Sequence, residues 1–398
     1  MSYESLYKLK YSQPNQYENI YRSRFQYPDT IHLDFLIHGN PAFVYPTLEM
    51  MNLIVRIHKI DKEIHTLRMN LPGAAIQQFT NRCLVDEIVL TNDIEGVNST
   101  RREIREVFEK LQGKKSDRRF YGLVMKYAML AKRESIKLDT CEDVRSIYDD
   151  LVLKEVIEEN PNDKPDGKLF RKESVSVTNA AQKEIHRGIV PESAIHEAVE
   201  KVLRFLKDDS IDLLIRIAAA HYLIGYIHPF YNGNGRLSRF ISSFLLVQEL
   251  DPLVGYRLSY TIKENLKQYD DSFKTCNDPR NLADLTPFVL WFLGIVLEAI
   301  NNLRQALAQR ADDLRVYKQR ADQDEVLGSP KNEELAFYLV QASLFSESGI
   351  SRQELIKYAG VSKSTIATRL NNLNQHGYLV IQRIGKEKYY KLNLEKLK

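Results

Sequence analysis

Residues 228–239 bring together a histidine, an Asn-Gly-Asn-Gly turn and two arginines: His228, Asn232, Gly233, Asn234, Gly235, Arg236 and Arg239. Glycines let a backbone approach a ligand closely, and the start of a helix offers free N–H groups to an anion. Arg236 and Arg239 stand three apart on one helix face, so both guanidiniums can meet the same anion. A histidine at the lip of such a pocket can accept a proton near neutral pH. The combination reads as a polyphosphate cradle with a general base beside it. It is not the common phosphate loop, since no G-x-x-x-x-G-K-(S/T) run follows a strand. Nor is it a hairpin, because the flanks carry helical rather than alternating periodicity.

Two helices must hold this turn. Residues 211–227 are apolar on nearly every side, which marks a central helix, with Ser210 as its expected cap. Pro229 takes the residue before it out of helical geometry, so that helix stops at His228. Residues 236–249 regain helical spacing through Phe240, Phe244, Leu245 and Val247.

His228-Pro229-Phe230-Tyr231-Asn232-Gly233-Asn234-Gly235-Arg236-Leu237-Ser238-Arg239 resembles, at every defined position, the motif of Fic proteins. That resemblance implies an all-α core and an enzyme that moves AMP from ATP, with Mg²⁺, onto a Ser, Thr or Tyr hydroxyl of a protein target or of itself. It assigns His228 as general base and Asn232 as metal ligand. It also makes Gly233, Asn234 and Gly235 the anion hole, and Arg236 and Arg239 the triphosphate clamp. Many relatives carry Asp where this chain has Asn232, and a neutral ligand grips Mg²⁺ less firmly.

A helix expected over 75–94 ends in Thr91-Asn92-Asp93-Ile94-Glu95-Gly96, an ordinary glycine stop. A carboxylate at a helix C-terminus is disfavoured by the dipole, so something must offset it. The segment resembles the Fic inhibitory motif. By that resemblance Glu95 pairs with Arg239 and takes the place of the ATP γ-phosphate. After the breaker at 160–167, β-branched alternation predicts a strand over 170–178. Its placement resembles the Fic flap (about 167–180), which holds a target segment by main-chain pairing.

The 398 residues leave room for two or three units. The expected division is 1–110 helical with the inhibitory motif, 111–300 catalytic core, 301–328 helical spacer and 329–398 a C-terminal unit. Residues 1–40 lack periodicity and are expected to lie as an extended arm. Further helices are expected over 46–68, 101–111, 121–132, 141–158, 259–273 and 285–320. Three dispersed cysteines give neither a disulfide framework nor a metal motif. No basic-then-apolar leader is evident, and the longest apolar run, 288–297, is about half of a membrane span. A cytoplasmic protein without a membrane partner is the expectation.

Only the tail is basic: 329–398 hold 11 Lys and Arg against 6 Asp and Glu. A helix at 333–345, a turn at Gly360, a helix after Ser362 and a hairpin around Gly385 form the pattern of a winged helix-turn-helix, an α+β unit. Lys363, Ser364, Thr365 and Arg369 lie on its recognition helix, with Arg383, Lys386 and Lys388 on the wing. The helix is polar rather than strongly basic, so protein docking is favoured over DNA. A homodimer is open. Two alternatives to AMP transfer stand: a DNA-binding regulator using the core as a nucleotide sensor, and removal of AMP with Glu95 activating water.

Overall fold

The structure is a computed structural model describing residues 3–109, 118–178, 184–385 and 387–398. It is mostly helical, as expected, and its described strands form three small antiparallel sheets. The end of the helix expected over 101–111, the end of the flap expected over 167–180, and Lys386 lie outside the described residues.

The N-terminal region departs from the expected extended arm. It forms α1 (Leu6–Ser12), α2 (Tyr17–Phe25) and a hairpin of β1 (Ile31–Ile37) and β2 (Asn40–Val44). The hairpin turns at His38 and Gly39, both with positive φ, as a tight two-residue connection requires. Buried Leu33, Phe35 and Ile37 alternate with exposed His32, Asp34 and Leu36. Leu36 is apolar yet exposed, and it masks this period-2 signal in the sequence. The region docks onto the turn at 283–285 through Phe43 N–H to Ala283 O (3.2 Å) and Leu285 N–H to Phe43 O (2.9 Å).

α3 (Leu48–Met69) starts where the Thr47 hydroxyl accepts from Met50 N–H. Next come α4 (Gly73–Ile94), α5 (Arg101–Glu109) and α6 (Tyr121–Ala131). α7 (Cys141–Tyr148), opened by a Thr140–Asp143 capping box, runs through one π turn into α8 (Lys154–Glu159). β3 (Ser176–Thr178) and β4 (Glu184–Arg187) pair antiparallel. The expected strand at 170–178 is therefore shorter, because the N–H groups of 170–173 are held by Glu192, Pro229 O, Asp166 and the Tyr231 hydroxyl. The remaining core helices are α9 (Glu192–Leu206), α10 (Leu213–Ile227), α11 (Asn234–Glu249), α12 (Pro252–Gly255), α13 (Leu258–Glu264), α14 (Leu266–Asn277) and α15 (Thr286–Gln323).

α10 is the centre, packed by α9, α11 and α15. Asp212, not Ser210, caps it by accepting from Leu214 N–H at 2.9 Å; the Ser210 hydroxyl turns back to Asp208. The stretch expected as one helix over 259–273 breaks at Asn265. α15 is long and apolar enough in part to cross a membrane, but 61% of that window is buried within the protein, as in a core helix. It stays helical to Gln323, through most of the expected spacer, burying Leu303, Leu307, Leu314 and Ala321.

The C-terminal region contains α16 (Glu333–Phe345), β5 (Ile350–Ser351), α17 (Arg352–Ala359), α18 (Lys363–Gln375), β6 (Leu379–Ile384) and β7 (Glu387–Leu392), with strand order β5-β7-β6. Ser351 and Ser362 cap α17 and α18, and Gly360 between them takes the left-handed conformation. α16 packs on α15 and α4. Phe345 meets Phe79 edge-to-face at 6.4 Å, and Arg310 lies over Phe79 while donating to Leu344 O. Arg105 pairs with Glu347 at 2.7 Å.

Candidate active site

The turn expected to bind an anion is built between α10 and α11. α10 ends at His228, which sits in the left-handed region (φ 52°) with its N–H on Ile224 O. Asn234 then staples the loop: its amide donates to Phe230 O at 2.8 Å and accepts from Phe230 N–H at 2.9 Å. Its side chain is thus committed to the loop, leaving its N–H for an anion. Phe230 stacks on Tyr148 with centroids 3.6 Å apart, and Tyr148 donates to Asn232 O. Such a stack adds about 0.5–1.5 kcal/mol beyond area burial and fixes the loop against α7.

Gly233 is the N-cap of α11 with φ 80°, and no side chain caps the helix. A Cβ at Gly233 would stand 2.9 Å from Val152, so glycine is required by space as well as by backbone. The first N–H groups of α11 consequently face the turn unsatisfied by any cap. Arg236 and Arg239 are both buried, at 1% and 0% exposure. Their fates differ. Arg239 donates from Nε to Thr91 Oγ1 (2.8 Å), and from Nη2 to Thr91 O (3.0 Å) and Glu95 Oε1 (2.9 Å). All three nitrogens of Arg236 are buried without a hydrogen-bond partner among the described residues.

Glu95 caps the C-terminus of α4, with Gly96 left-handed behind it. It therefore lies where the resemblance expects it, paired with Arg239. Gly235 makes this approach possible, since a Cβ there would lie 2.2 Å from Glu95 Oε1. Burial pushes the Glu95 carboxyl up, but Arg239, then Arg236 and His228, pull it below its ordinary value. For Arg239, burial lowers the guanidinium's pKa, and Glu95 more than restores it. The dipole penalty at the end of α4 is offset by this ion pair.

His228 is half-buried and its imidazole is depressed to about 4, by burial first and the Arg171 guanidinium second. It is neutral at pH 7 and can accept a proton. Asn232 Oδ1 accepts from Gly233 N–H at 2.6 Å, and its amide lies 3.4 Å from the Asp163 carboxylate. The rim thus offers two kinds of hard oxygen donor. Among the described residues no group of three His, Cys, Asp or Glu could hold a metal by itself.

Sequence reasoning gave no site role to Arg171 or Asp163, and named Thr91 only as the first residue of the inhibitory motif. Thr91 shares an α4 face with Glu95 at helical spacing, a signal available in the sequence. Asp163 sits in a breaker run that reads as solvent, and Arg171 in a stretch that reads as strand. At the far end of the chain, Lys363 and Ser364 are exposed, and the Thr365 hydroxyl bonds Ser362. Ser364, Thr365 and Arg369 line a groove of about 730 Å³ with Lys331, Asn332 and His376. Arg383 and Lys388 are exposed on the hairpin β6–β7. These residues lie apart from the His228 turn.

Known proteins similar to this chain share its central region and its fold. Residues 138–246 match the model of the Fic/DOC family. The chain is 26% identical over 243 residues to the protein adenylyltransferase Fic of Drosophila mojavensis, covering 59% of this chain and 44% of that protein. It is 32% identical over 98 residues to the protein adenylyltransferase fic-1 of Caenorhabditis elegans, covering 24% and 18% respectively. The chain thus spans less than half the length of the curated relatives it matches. A solved Fic family protein from Desulfovibrio desulfuricans G20 shares the fold at TM-score 0.54 and 19% identity, over 87% of this chain and 97% of that one. The turn motif, the family match over 138–246 and the shared fold point the same way: this chain is similar to proteins of the Fic family.

Proposed function

We propose that this chain transfers AMP from ATP to a Ser, Thr or Tyr hydroxyl of a protein target or of itself, and that Glu95 restrains it. The observation that carries this reading is Arg236. A buried guanidinium with three unpaired nitrogens is costly unless an anion completes it. It stands at an uncapped helix start, where a phosphate is the natural complement.

In this mechanism Arg236 and the α11 N–H groups bind the phosphates, leaving the α-phosphorus open to attack. His228 takes the proton of the target hydroxyl as its oxygen bonds to the α-phosphorus. The bond from the α-phosphorus to its bridging oxygen breaks, and pyrophosphate leaves. A positioned base contributes roughly 10²–10⁴-fold. Asn232 and Asp163 fit Mg²⁺, which binds protein through one or two oxygen donors and otherwise through substrate phosphates. When bound, Mg²⁺ neutralises charge on those phosphate oxygens. Glu95, by occupying Arg239, holds one of the two guanidiniums away from the terminal phosphate. The β3–β4 pair is suited to hold an extended target by strand addition.

The order α16-β5-α17-α18-β6-β7 supports a winged-helix reading of 329–398, and we take the α18 groove as a docking place for a protein partner. The activity is tested by incubating the Glu95→Gly chain with ATP and Mg²⁺ and mapping modified residues by mass spectrometry. An adenylyl group on a hydroxyl side chain is expected. Absence of any adduct, on itself or on a lysate protein, contradicts the reading.

A further inference from the structure

Arg171 is a second buried guanidinium behind the turn, at 0% exposure, and its partners are all carbonyls. Nε donates to His228 O (2.8 Å), Nη1 to Glu173 O (2.6 Å) and Nη2 to Ile227 O (3.4 Å), while its backbone N–H donates to Pro229 O (3.2 Å). No carboxylate pairs with it among the described residues. Two of those carbonyls belong to the end of α10, where unpaired C=O groups and the dipole favour a cation. The placement is supported from both sides. Glu192 accepts from Lys168, Leu169 and Phe170 N–H and pins the preceding strand of chain. Gly188 leaves the space: a Cβ there would stand 2.2 Å from Arg171 Nη2 and 3.1 Å from His228 Cβ.

We propose that Arg171 is a positioning residue of the transfer step: it locks the left-handed turn that aims His228 and, as a buried cation behind the imidazole, keeps it uncharged and ready to accept a proton. A carbonyl-bound cation does this without supplying an anion that would protonate the histidine. The other groups facing His228 are Glu95 from α4, which opposes Arg171, and His186 from β4, which acts in the same sense. Arg236 and Arg239 on α11 act on Glu95. A helix-end clamp alone would explain the carbonyl bonds but not a dependence of the imidazole on the charge of residue 171.

The inference rests on the proposed AMP transfer for its consequence, but its test does not. His228 is titrated by NMR in the full-length chain without ATP, assigned by the signal lost in His228→Gln. Arg171→Met should move the His228 titration up by about one pH unit, and Arg171→Lys should leave it near the wild-type value. In the Glu95→Gly background the acidic limb of AMP transfer should follow the same order, with kcat falling and KM for ATP unchanged. If Arg171→Met does not fold, Arg171→Lys decides: a low titration supports the proposal and an ordinary one overturns it. Equal titration of Arg171→Met and wild type, or an equal shift in the Lys and Met variants, also overturns it. Complete absence of transfer with the titration order intact would defeat the proposed activity and leave the effect on His228 standing.

Discussion

Arg239 and Glu95 form a 2.9 Å ion pair between α11 and the end of α4, in which the guanidinium is 1% exposed and the carboxylate 23%. Thr91, one turn back on α4, accepts from Arg239 Nε at its hydroxyl and from Nη2 at its carbonyl. Arg236, on the same face of α11, has no such partner. One of the two arginines is therefore answered from inside the protein, and the other is left without a partner among the described residues.

Removing the internal answer should release activity. Glu95→Gly is expected to raise adenylyl incorporation about tenfold or more, equivalent to at least ~1.4 kcal/mol of relieved competition at Arg239. Initial rates with labelled ATP check this. Unchanged incorporation would remove the restraint assigned to Glu95.

Arg236 should separate binding from stability. Arg236→Met should weaken ATP by about 1.5–3 kcal/mol, roughly 10- to 150-fold in Kd, since its bonds to phosphate would be charge-assisted. The protein itself should melt no lower than wild type, because the native side chain is buried unpaired. Calorimetric titration and a thermal melt test the two halves; a large loss of Tm would place a partner on Arg236 in the apo protein.

His228→Ala should lower transfer by roughly 10²–10⁴-fold while ATP affinity changes little, because the phosphate contacts proposed above lie on α11. Retained transfer would show that another group accepts the proton.

Glu87 sits fully buried on the α4 face that also carries Thr91, accepting from Ser259 N–H at 2.9 Å. Burial outweighs that hydrogen bond and raises its carboxyl to about 7. The folded state then binds a proton more tightly than the unfolded chain, so its contribution to stability is complete below about pH 4.5 and is lost as pH rises through about 7. The loss is on the order of 3 kcal/mol. Glu87→Gln should flatten the fall in Tm between pH 5 and 7 relative to wild type; parallel curves would show that Glu87 does not titrate there.

The active turn is legible in the sequence because its chemistry is local. Gly233 must adopt positive φ, Pro229 must end α10, and Arg236 and Arg239 share a face by spacing alone. Glu95 is legible through its place before Gly96, although its partner lies 144 residues away. What stays hidden depends on tertiary packing. Arg171 looks solvent-facing in a strand-like run, and only the carbonyls at the end of α10 make it a core residue. Asp212 displaces Ser210 as cap because the Ser210 hydroxyl is already held by Asp208. The β1–β2 hairpin is obscured by exposed Leu36, and the packing of α16 on α4 by contacts far apart in sequence.

The most direct measurement compares ATP labelled at the α-phosphate with ATP labelled at the γ-phosphate, using the Glu95→Gly chain and the Glu95→Gly/His228→Ala double variant with Mg²⁺. Protein-bound label is expected only from the α-position, only in the single variant, and on a hydroxyl side chain. Label carried from the γ-position, or equal α-label in both variants, would contradict AMP transfer by His228 at this turn.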